Sequence, residues 1–147
     1  MKKLLGFSIF LVFVLIASLT AEAKVTLPAI FSDNMVLQQN TQVNVWGKAA
    51  PGEKVTVKAS WLDKAVTAKA AVNGKWTVKL KTPKATTNQS VTVSGENEIT
   101  INNVLIGEVW LCTGQSNMEL PVSRVTDRFR DEISTDSNYP MVRYIKT

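Results

Sequence analysis

Ser116 is the residue whose setting most suggests chemistry. It lies in Thr113-Gly-Gln-Ser-Asn-Met118, directly after the apolar run Val104-Leu-Ile-Gly-Glu-Val-Trp-Leu-Cys112. A strand that ends in a glycine and then presents a serine can display a nucleophile at the carboxyl edge of a sheet. That edge is where open α/β sheets bind ligands. Gly114 would let the backbone turn tightly and approach a substrate. Backbone N–H groups freed beyond a strand end can hold an oxyanion, often the largest electrostatic contribution in acyl transfer. The layout shares the logic of a nucleophile elbow without matching Gly-x-Ser-x-Gly, because Met118 stands at the second glycine position. As a bare pattern, a Gly-x-Ser after a strand is more often a plain turn.

A serine hydroxyl is a poor nucleophile until a base takes its proton. The chain contains no histidine. That count excludes His-metal sites and removes the commonest general base. Glu119 and Asp127 are close to Ser116 in sequence, but nothing aims either at it. The single cysteine, Cys112, excludes a disulfide framework and a Cys-rich zinc module. On a buried strand it is expected to act as a small core hydrophobe. No metal and no cofactor is implied.

The elements that must position Ser116 follow from the rest of the chain. At 147 residues, 45% hydrophobic and 20% charged, it is long enough for one domain, or for a small domain and part of another. Wholesale disorder is excluded. Residues 1–23 read as a signal peptide. Met1-Lys2-Lys3 is a basic start, Leu4–Leu19 carries no charge, and Ala21-Glu22-Ala23 offers small residues at the spacing a signal peptidase reads. Export to a periplasmic or extracellular space is therefore expected, with no stable membrane span after cleavage. The remaining 15 basic and 11 acidic residues leave a mild positive charge. The lysines alternate with apolar residues, as a solvated sheet face does, and no nucleic-acid partner is expected.

Residues 24–106 read as an antiparallel β-sandwich. Val55, Val57, Ala59 and Trp61 fall on one face of a strand, with Lys54, Thr56, Lys58 and Ser60 on the other. Trp76, Val78 and Leu80 repeat the pattern, and so do the pairs Val43/Val45, Val91/Val93 and Ile99/Ile101. Period-two alternation marks strands with one buried and one wet face. Asn73-Gly74 is expected to form a type I′ hairpin turn. Trp46, Trp61 and Trp76 are expected to pack in the core, although aromatic faces could also stack on sugar rings. From Val104 the alternation stops. The run to Cys112 suggests a strand buried on both sides, as in a parallel sheet under helices. Met141–Ile145 reads as another strand start. So little of an α/β layer cannot close its own core, and residues 107–147 are expected to begin a domain whose remainder is missing.

The string Gly107-Glu-Val-Trp-Leu-Cys-Thr-Gly-Gln-Ser-Asn-Met-Glu119 closely resembles the nucleophile block of the sialate O-acetylesterase family, within the SGNH-type serine esterases. Leu27-Pro-Ala-Ile-Phe-Ser-Asp-Asn-Met-Val-Leu-Gln38 resembles the start of that family's mature chain, as do Val45-Trp-Gly47 and Pro51-Gly52-Glu53. The resemblance covers essentially Lys24 to Thr147. It implies a mainly β fold class: an N-terminal antiparallel β-sandwich followed by the first strand or strands of a truncated α/β/α SGNH hydrolase domain. It further implies removal of acetyl groups from sialic acid or other acetylated glycans. Ser116 would be the catalytic nucleophile in a loop formed with Gly114, Gln115 and Asn117, and its N–H one oxyanion donor. The family's Asp-x-x-His block has no counterpart here, so the chain alone is expected to be inactive. A non-catalytic carbohydrate-binding module, or a structural cell-surface module, is the alternative.

Overall fold

The structure is a computed structural model that describes residues 24–121, 124 and 139–145. The expected leader over 1–23 and Asp127 lie outside the described residues, as does the side chain of Glu119. Seven strands are described: β1 (Val36–Gln38), β2 (Gln42–Lys48), β3 (Lys54–Ala59), β4 (Val66–Lys69), β5 (Lys75–Lys81), β6 (Thr86–Ser94) and β7 (Glu98–Gly107). A 3-10 turn, Ser116–Glu119, follows them. No α-helix occurs among the described residues, and the fold is mainly β.

The strands form a five-stranded sheet in the order β1-β7-β6-β3-β4 and a two-stranded sheet β2-β5. Neighbours pair antiparallel except β1 and β7, which run parallel in the register Val36↔Leu105, Leu37↔Ile106, Gln38↔Gly107. The alternation read from the sequence appears directly as burial. Along β5, Trp76, Val78 and Leu80 are buried while the four lysine and threonine neighbours are exposed. Val45, Trp76, Val78 and Leu80 of the small sheet share one core with Val55, Val57, Ala59, Val91, Val93, Ile101 and Val104 of the large one. Each buried side chain of this size contributes about 1.5–3 kcal/mol relative to exposure, so this shared core is the main stabilising feature.

Four expectations need correction. The Asn73-Gly74 turn does not join paired strands: β4 pairs with β3 and β5 with β2, so the chain changes sheets there. Only Gly74 has a positive φ, at 75°, and its N–H donates to the Ala71 carbonyl at 2.8 Å. That is a type I turn followed by a left-handed glycine, not type I′. The tryptophans divide. Trp76 is buried, with no acceptor for its Nε1–H among the described residues. Trp61 is half-buried and donates from Nε1 to the Lys81 carbonyl at 2.9 Å. Trp46 stays 43% exposed, edge-on to Phe31 with ring centroids 4.7 Å apart. Finally, the apolar run from Val104 is not one buried strand. Val104, Leu105 and Ile106 are buried at the end of β7, but Val109, Trp110 and Leu111 are exposed. No strand is described beyond Gly107, and Met141–Ile145 has no regular structure.

The start of the domain is strapped across both sheets. Thr26 bridges Lys48 of β2. The Asn97 side chain, in the β6–β7 turn, accepts from the Val25 N–H at 2.7 Å and donates to the Val25 carbonyl at 3.2 Å, as a neighbouring strand would. Gly47 makes this possible, because a Cβ there would collide with the Thr26 carbonyl and the Trp76 ring.

Candidate active site

The serine block is rooted where β1 and β7 end side by side. Just past this pair, the Gln39 N–H donates to the Gly107 carbonyl at 2.8 Å. Side chains then take over from backbone. Gln38 Oε1 accepts from the Val109 N–H at 2.9 Å, and Gln38 Nε2 donates to Glu108 Oε2 at 2.9 Å. Gln39 Nε2 donates to Glu108 Oε1 at 2.6 Å, while Gln39 Oε1 accepts from the Ala85 N–H at 2.8 Å. Both carboxylate oxygens are thus held by amide donors. Hydrogen bonds to the charged form favour it. The Gln38 contact first, and the Gln39 contact second, hold the Glu108 carboxyl below the ordinary glutamate value.

From Val109 the chain runs exposed to the 3-10 turn. Gly114, Gln115, Ser116 and Asn117 are all exposed. The turn is closed by Met118 N–H donating to the Gln115 carbonyl at 2.9 Å and Leu120 N–H to the Asn117 carbonyl at 3.2 Å. No described backbone carbonyl accepts from the Ser116 N–H, which sits on the same residue as the hydroxyl. Gly114 has no positive φ. Its value lies in space, since a Cβ there would stand 2.8 Å from Met118 Cγ. From the segment 139–145, Arg143 Nη1 donates to the carbonyl of Asn103, within β7, at 2.5 Å.

The four loop residues expected from the sequence are therefore contiguous and exposed, but no histidine accompanies them. The chain has no histidine, and no metal-holding group of His, Cys, Asp and Glu occurs among the described residues. Cys112 is exposed, not buried. Two shallow depressions, one beside Lys24 and Lys48 and one beside Thr41 and Thr82, include none of the serine block. Gln38, Gln39 and Glu108 were not singled out by sequence reasoning. The available signal was a charge interrupting an otherwise apolar run, with adjacent amides following a short strand.

No family model matches the chain. It is 30% identical over 124 residues to sialate O-acetylesterase of Homo sapiens and, with the same figures, to that of Pongo abelii; each match covers 78% of this chain and 24% of the relative. Sialate O-acetylesterase of Mus musculus is 31% identical over 126 residues, covering 78% of this chain and 23% of its own. A crystal structure of a carbohydrate acetylesterase from Xanthomonas citri superposes with a TM-score of 0.68 at 32% identity, over 77% of this chain and 26% of that one. The likeness is thus one of sequence and backbone together. Over the 78% of its length that is matched, this chain is similar to the sialate O-acetylesterases, and it spans about a quarter of the length of the relatives it matches.

Proposed function

We propose that this chain contributes the nucleophile and the leading β-sandwich of an exported hydrolase that removes O-acetyl groups from sialic acid or related acetylated sugars. The observation that carries this reading is Ser116 itself: exposed, with its hydroxyl and backbone N–H on one turn, inside the Gly107–Glu119 string that resembles the family's nucleophile block. The likeness to a carbohydrate acetylesterase from Xanthomonas citri supports it. Ser116 Oγ attacks the acetyl carbonyl while an imidazole takes its proton. The Ser116 N–H donates to the oxyanion as it forms. Collapse breaks the bond to the sugar oxygen, which leaves with the proton the imidazolium returns. Water, deprotonated by the same base, then hydrolyses the acetyl-serine and releases acetate.

These 147 residues hold no histidine, so the imidazole lies outside them, together with the SGNH α/β/α layers. Loss of a triad member costs several orders of magnitude, so the chain alone is inactive. Its export follows cleavage after Ala23. The zero-histidine count also favours a second reading, a glycan-binding β module that performs no turnover.

The test compares the purified chain with the same chain fused to polypeptide carrying the family's Asp-x-x-His block, on an aryl acetate and on O-acetylated sialic acid. The fusion hydrolyses both, Ser116→Ala abolishes this, and the unfused chain does neither. A silent fusion that still binds glycan supports the second reading instead.

A further inference from the structure

We propose that the Gln38–Glu108–Gln39 hydrogen-bonded clamp is a positioning device that fixes the root of the Ser116 segment to the β domain. The proposal rests on the esterase reading for its purpose, and on geometry alone for its existence. Gln38 ends β1, a strand of three residues, and Glu108 directly follows β7. Backbone pairing between them stops at Gln38↔Gly107. The next contacts are side-chain ones: Gln38 spends both ends of its amide on Glu108 and the Val109 N–H, and Gln39 spends both on Glu108 and the Ala85 N–H. The clamp thus extends the parallel pair beyond its last backbone contact and reaches the segment linking β5 to β6.

Isolated exposed polar pairs contribute little to stability. A closed set, in which one carboxylate and two amides satisfy one another and two backbone N–H groups, restricts direction more than it adds energy. Direction is what the next residues lack. Val109, Trp110 and Leu111 are exposed and Cys112 stands free in solvent. A nucleophile at the end of such a segment depends on how firmly its root is aimed, and small misplacements cost large rate factors. Gln38, Gln39 and Glu108 touch no reacting atom. They act through the backbone that leads to Ser116.

Cys112 is the sole cysteine and gives a reporter between the clamp and the serine. A nitroxide placed on it in the full chain reads local mobility by electron paramagnetic resonance. Glu108→Ala and Gln38→Ala each shorten the label's correlation time about twofold. The double variant loosens it no further than either single one, because both remove the same network. Glu108→Gln keeps one acceptor and falls between. The melting temperature of the β domain moves by less than about 2 °C in all of them. Unchanged label mobility in both alanine variants overturns the proposal. So does additive loosening, or loosening that only follows a fall in melting temperature. In the histidine-bearing fusion the same variants lower kcat about tenfold at unchanged KM. A silent fusion with a loosened label counts against the esterase reading and not the clamp. An active fusion with an unmoved label counts against the clamp alone.

Discussion

Gln38 and Glu108, separated by 70 positions in sequence, meet side chain to side chain at 2.9 Å. One closes the stretch that resembles the start of the family's mature chain, and the other is the second residue of the stretch that resembles its nucleophile block. The two motifs are therefore a single place in the fold, at the carboxyl ends of the parallel pair β1 and β7. This contact makes the β domain the mount from which the serine segment leaves.

The Glu108 carboxyl titrates below the ordinary glutamate value because Gln38, and then Gln39, donate to its charged form. Its stabilising effect is present above the unfolded glutamate pKa and is lost as pH falls through the lower folded value. Carboxyl-carbon NMR titration should show Gln38→Ala moving the Glu108 midpoint back up. Gln39→Ala should move it by less.

Leu80 is fully buried where the two sheets meet. Leu80→Ala should cost about 2–5 kcal/mol of unfolding free energy, read as a lower urea midpoint at nearly constant slope. Lys79→Ala, on the exposed face of the same strand, should stay within about 0.5 kcal/mol.

Gly47 admits the Thr26 carbonyl and the Trp76 ring where a Cβ would stand. Gly47→Ala should push the strap around Val25 and Thr26 off β2, costing about 1–3 kcal/mol. The Val25 and Lys48 amides should lose hydrogen-exchange protection before the rest of the sheet. Uniform loss of protection would mean that the strap is not the part displaced.

Cys112 is exposed. An aromatic disulfide reagent should modify one equivalent of thiol in the native chain at nearly the rate seen in denaturant. A native rate lower by about a hundredfold or more would place Cys112 back among buried, inert thiols.

The large outlines of the fold were legible because half-buried strands write their burial into the sequence at period two. The buried residues Trp76, Val78 and Leu80 of β5 are the ones the alternation selects. Sheet membership was not legible, because alternation says which face is wet and not which strand lies alongside. That is why Asn73-Gly74 suggested a hairpin where the chain crosses from one sheet to the other. Apolar character alone was also insufficient. Val104–Ile106 and Val109–Leu111 read alike, yet the first three are buried and the second three exposed. For the same reason Cys112 was expected in the core. The serine loop was visible through its resemblance to a family string, not through a distinctive backbone pattern. The amide–carboxylate clamp was invisible because its members sit 70 positions apart.

The most direct test of the account is to trap the intermediate. The histidine-bearing fusion is mixed with O-acetylated sialic acid, quenched in acid within milliseconds, and digested for mass spectrometry. An acetyl group on the peptide containing Ser116, absent from Ser116→Ala and from the unfused chain, is the result predicted. Acetate released at full rate with Ser116 replaced, or an acetyl group carried on another residue, would contradict it.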